Sequence, residues 1–167
     1  MSNTIAAPRT FLGSIIKIRV PADSNSSGLC VIENNLPYGF ATPLHVHINQ
    51  DEIFHLLRGR VRIEIGDETF VAQAGDIRMA PKGTPHRFVV DSAEGADAVL
   101  FTGGKDLENF VMECSVPAET DALPQHGGPL APPSEHELQA LEAAAQRNNI
   151  KLTGPPLAPF DANKTAT

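Results

Sequence analysis

The chain has 167 residues, 41% of them hydrophobic and 20% charged, which fits one domain that buries a core without disulfide staples. A net charge of -7, with no basic cluster, argues against nucleic acid or an anionic membrane as a partner. No apolar run approaches the roughly 18 residues of a membrane-spanning helix, and residues 1–9 lack the basic and apolar regions of a signal peptide, so a cytoplasmic protein is expected.

Gly and Pro, 13 and 14 in number, punctuate short apolar runs, as in an all-β chain with many turns. Residues 1–9 read as a loose arm. The β-branched stretch 10–20 reads as one strand at an edge, where a second copy of the chain would pair to make a homodimer. Residues 21–28 are a loop, and 29–34 a short strand that contains Cys30. Neither Cys30 nor Cys114 belongs to a CxxC pair, and both read as free thiols. Residues 53–57 form a strand stopped by Gly59. Val61, Ile63 and Ile65 alternate with Arg62 and Glu64, the period of a strand with one polar face. Gly66-Asp67 makes a hairpin turn to a returning strand at 68–72. Strands at 77–80, 86–90 and 96–101 follow. Strands this short at this spacing indicate a barrel or sandwich. The character then changes. Leu107, Phe110, Val111 and Cys114 recur at helical spacing. Residues 117–133 read as a long loop. Residues 134–148 read as a second helix, capped by Ser134 with Glu137 completing a capping box. From residue 150 the tail reads as extended or disordered.

The chemistry concentrates in four residues. His45 and His47 lie two apart, so on a strand both imidazoles project to one face. Glu52 follows five residues later, and His86 stands just after a Pro-Gly turn. Three imidazoles and a carboxylate make a mixed N/O set that suits one divalent transition metal (Fe, Ni, Mn, Co, Cu or Zn) over Ca or Mg. Parity places Glu52, Phe54 and Leu56 on one face, and His86, Phe88 and Val90 on another. Phe54 and Phe88 are therefore candidate substrate-binding residues around the metal, with Met79 and Phe101 as additions to that lining. His55 falls on the face opposite Glu52 and is expected to point outward or to a subunit contact. His126 and His136 lie outside this pattern. Arg58, Arg60 and Arg62 read as a solvated face.

The spacing Gly39-x5-His45-x-His47-x4-Glu52-x6-Gly59, followed by Gly75-x5-Pro81-x-Gly83-x2-His86, resembles the two motifs of the cupin superfamily. The second motif often closes on an Asn where this chain has Val90. The resemblance implies an all-β cupin jelly-roll β-barrel (a double-stranded β-helix) over residues 10–115. Residues 1–9 would precede it, and 116–167 would add one or two short helices and a tail. It also implies that His45, His47, Glu52 and His86 are the metal ligands.

Cupins include dioxygenases, isomerases, decarboxylases, sugar-binding proteins and regulators, so the fold leaves function open. The segment after residue 133 is too short and acidic for the helix-turn-helix of a regulator. The intact ligand set departs from that of cupin sugar epimerases, and Glu52 departs from that of cupin thiol dioxygenases. Residues 51–88, the Phe101-Thr102-Gly103-Gly104 segment and the Gly154-to-Leu157 tail resemble small bacterial cupins of the quercetin 2,4-dioxygenase type. That resemblance implies O2 insertion into an aromatic or enolic small molecule such as a flavonol, with Glu52 both ligand and general base. The alternative is a metal-binding cupin that acts as an isomerase, a lyase or a binding protein without O2.

Overall fold

In the computed structural model, which describes residues 7–123 and 134–160, the alternating apolar and polar residues form two antiparallel sheets. The first holds β1 (Arg9–Phe11), β2 (Ser14–Val20), β3 (Leu29–Leu36), β5 (Glu52–Arg58), β8 (Ile77–Ala80), β10 (Ala96–Gly103) and β11 (Ser115–Pro117). The second holds β4 (Pro43–His47), β6 (Arg60–Ile65), β7 (Glu68–Gln73), β9 (His86–Val90) and β12 (Ile150–Pro156). Their orders are β11-β1-β2-β3-β10-β5-β8 and β12-β4-β9-β6-β7. Consecutive strands repeatedly fall in opposite sheets, as in a jelly roll. Among the described residues the sheets remain two and are not hydrogen-bonded into one closed barrel. Two helices follow the main strands, α1 (Asp106–Cys114) and α2 (Glu135–Arg147). The Ser134–Glu137 capping box is present at the start of α2.

The structure departs from the sequence reading at both ends of the chain. The stretch 10–20 is a hairpin, β1 and β2, closed by Leu12-Gly13 with φ of 49° and 87°. Arg9, read as part of a loose arm, already belongs to β1. β1 is paired on both sides, to β2 and to β11, so it is no free edge for a second copy. The tail at 150 is a strand, paired antiparallel to β4. Its prolines fall on an edge strand, where a missing N–H is tolerated. Strand periodicity was hidden in both places by brevity and by proline.

Two apolar clusters fill the molecule. One joins Phe11, Ile16 and Ile32 to Leu107, Phe110, Leu141 and Ile150, and so fastens both helices and β12 to the first sheet. The other joins Leu36, Phe40, Phe54, Val61, Ile63 and Phe88 between the sheets. Leu100 packs against both.

Candidate metal centre

Each ligand is placed by a separate device. His45 and His86 are direct partners across β4 and β9. His47 ends β4 and Glu52 opens β5 in the other sheet, so the four side chains span the gap between the sheets. One ligand atom from each of the four lies within 4.8 Å of the others. His47, Glu52 and His86 are buried.

The loops are tied to the ligands. The Gly83 N–H donates to the His47 carbonyl at 2.9 Å, and the Lys82 N–H to the Asp51 carboxylate at 2.8 Å. Gln50, buried between His47 and Glu52, donates to the Gly103 carbonyl and accepts from the Leu107 N–H at 3.0 Å. α1 has no side-chain cap of its own at Lys105, so Gln50 serves one of its free N–H groups. The ligand loop and α1 are thereby locked together.

The ring orientations follow from carbonyls two residues upstream. His45 Nδ1 lies 2.7 Å from the Pro43 carbonyl, and His86 Nδ1 lies 2.9 Å from the Thr84 carbonyl. Each carbonyl accepts the Nδ1 proton, so the neutral ring would present the Nε2 lone pair inward. His86 Nε2 is 2.9 Å from Glu52 Oε2, and His47 Nε2 is 3.2 Å from the same oxygen. The latter pair is poorly aligned, and neither ring nitrogen of His47 finds a hydrogen-bond partner. A buried imidazole with two orphaned nitrogens is costly by itself. A bound metal ion would account for one of them.

Electrostatics agree with that reading at His45 and Glu52. Burial, then the neighbouring His86 and His47, lowers His45 to about 3, so its imidazole stays neutral, the form a metal needs. Burial opposes ionisation of Glu52, but the neighbouring His47 and His86 outweigh it and hold the carboxyl below its usual range. His86 is raised: Glu52 overcomes the opposing effect of burial.

A cavity opens onto His45, His47 and Glu52. Its polar lining beyond those three consists of Asn34 and Thr42, and the rest is apolar. A second, smaller cavity lies between the sheets and shares Asn34, Phe88 and Leu100 with the first. Of the aromatic residues read from parity, Phe88 lines both cavities and Phe54 the second one. Phe54 meets the His86 ring edge-on at 6.0 Å between centroids. Met79 and Phe101 line neither. Both are cross-strand partners of Ile53, whose neighbours Glu52 and Phe54 point inward, so they fall on the outer face, with Met79 52% exposed. His55 shares that outer face. Arg58, Arg60 and Arg62 are partnered rather than simply solvated: Arg58 by Asp97, Arg60 by the Asp91 carbonyl and Arg62 by the Asp91 carboxylate. His136 is exposed on α2, and His126 lies outside the described residues.

The sequence reading missed the cavity wall supplied by Leu12, Leu107, Phe110, Leu141 and Leu152. Helical periodicity marked some of these as buried, but nothing local says that α1, α2 and β12 close over the metal ligands.

Residues 33–102 match the family described as Cupin domain, and the two antiparallel sheets that carry the four-residue cluster are consistent with a cupin jelly roll. Two curated relatives match. One, named Oxidoreductase OpS7, from Beauveria bassiana, is 40% identical over 50 residues, 29% of this chain and 16% of its own. The other, an uncharacterized protein of Methanocaldococcus jannaschii, is 36% identical over 52 residues, 31% of this chain and 42% of its own. The chain thus spans less than half the length of either relative. Among solved structures, a predicted oxalate decarboxylase from Thermotoga maritima matches with a TM-score of 0.52 and 17% identity, over 61% of this chain and 95% of that one. KdgF from Halomonas sp. matches with a TM-score of 0.50 and 23% identity, over 57% and 85%. At these identities the likeness is one of fold. No described helix is long and apolar enough to cross a membrane.

Proposed function

We propose that this cupin is a metal-dependent dioxygenase that acts on a small aromatic or enolic substrate of the flavonol kind. The observation that carries the reading is the convergence of His45, His47, Glu52 and His86, within 4.8 Å, on an otherwise apolar cavity. The four residues would hold one divalent transition metal. When bound, such a metal supplies Lewis acidity toward an enol oxygen and redox capacity for the reaction with O2.

The protein's own share is positional and protonic. The Pro43 and Thr84 carbonyls set the tautomers of His45 and His86. The Glu52 carboxylate is ionised and faces the cavity, so it would accept a proton there only from a hydroxyl made more acidic by the bound metal. Its Oε1, the oxygen not set against His47 and His86, would accept the hydroxyl proton of the substrate. The apolar wall excludes water from a reactive enolate. The oxidoreductase name of the Beauveria relative, which shares a 50-residue stretch, supports an oxidative reaction.

The test is an oxygen-electrode trace with quercetin as substrate and metal-loaded protein. We expect O2 uptake that depends on the metal, and a loss of at least 100-fold in rate for Glu52→Gln, within the range for removing a general base. Metal binding without O2 uptake would overturn the dioxygenase reading and favour a lyase, an isomerase or a binding protein.

A further inference from the structure

The hairpin turn between β1 and β2 carries an anomaly. Leu12 and Gly13 form a two-residue loop, with Phe11 paired to Ser14, and both have positive φ, 49° and 87°. Turns of this kind favour Asn-Gly, because an L-residue with a branched apolar side chain is strained at positive φ. Gly13 fits the rule and Leu12 breaks it. Leu12 is also 41% exposed, so core packing does not explain it. Its side chain lines the cavity above the metal ligands. Backbone strain held at a ligand cavity points to a role for the side chain that causes it.

The surrounding wall has the same character. Leu107 and Phe110 on α1, Leu141 on α2 and Leu152 on β12 line the cavity with Leu12. All lie outside residues 33–102, the segment that matches the cupin family. Leu152 is the register partner of His45, so this wall begins beside the ligand cluster. The cavity therefore has a polar, metal-chelating floor and an apolar wall supplied by elements added to the domain.

We infer that this wall is a subsite for the apolar tail of a ligand whose chelating head sits at the metal, and that Leu12 guards its mouth and selects for that tail. The inference rests on the metal-site reading above. Leu12 is then a specificity residue with no part in the chemistry, and the turn tolerates its strain for the sake of that contact.

The probes are alkyl hydroxamates of increasing length, from acetohydroxamate to octanohydroxamate, titrated into the metal-loaded protein by calorimetry. The hydroxamate head chelates divalent metals regardless of the tail. We expect each added methylene to tighten binding about three- to fourfold until the wall is filled. Leu12→Asn should weaken octanohydroxamate about tenfold, leave acetohydroxamate unchanged, and hold or raise the melting temperature, because Asn suits the turn. A residue that merely stabilised the fold would lower the melting temperature and affect both probes alike. Equal affinity along the series overturns the tail subsite. Tightening that is identical in Leu12→Asn overturns the role of Leu12. Failure of acetohydroxamate itself to bind overturns the metal-site reading on which the inference stands.

Discussion

At the scale of the residue, the ligand identities were open to inspection but their orientation was not. An HxH pair, a Glu and a His at cupin spacing name the four side chains. The carbonyls of Pro43 and Thr84 that fix the rings are backbone groups, which every residue carries, so composition gives them no signature. Cys30 shows the same limit. It is completely buried, and burial, then Glu108, pushes its thiol up to about 12. The thiolate is the reactive form, so at pH 8 almost none is present in the folded protein. Titration with a disulfide reagent at pH 8 should show no fast reaction at Cys30 until the protein is denatured. A rapid stoichiometric reaction in the native state would contradict the burial. Gly59 gives a second residue-scale prediction. With φ of 85°, a Cβ there would collide with the Gly95 carbonyl and the Ala96 backbone. Gly59→Ala should cost about 2–4 kcal/mol by chemical denaturation. A loss below about 0.5 kcal/mol would show that the turn relaxes.

At the scale of the element, the strands from 53 to 101 were legible because period-2 alternation and Gly or Pro stops coincide there. β1, β11 and β12 were not, because strands of three residues, or a strand ending in Pro155-Pro156, carry too little pattern. The connection of α1 to the ligand loop through Gln50 was also invisible, since it pairs residues more than 50 positions apart. Its consequence can be measured. Gln50→Ala strands the buried Leu107 N–H and frees the loop between His47 and Glu52. We expect a stability loss of about 1–3 kcal/mol, together with weaker metal binding. A drop in stability with metal affinity unchanged would show that Gln50 serves α1 alone.

At the scale of the molecule, the outward position of Met79 and Phe101 has its own meaning. Val31, Phe101, Ile53 and Met79 are successive cross-strand partners on the outer face of the first sheet. Val99, His55 and Ile77 form the next row, with Ile77 57% exposed. An apolar face of this kind is a better candidate for self-association than the doubly paired β1. Sedimentation of the wild type is expected to give a dimer, and Met79→Asp with Ile77→Asp a monomer that keeps its metal. A wild-type monomer at all concentrations would remove the face from that role.

The metal centre depends on the cluster between the two sheets. Elemental analysis of the protein after reconstitution and dialysis addresses it most directly. About one divalent transition metal per chain, lost in His45→Ala and in His86→Ala, is the predicted result. No retained metal in the wild type, with both variants indistinguishable from it in content and melting temperature, would contradict the central claim.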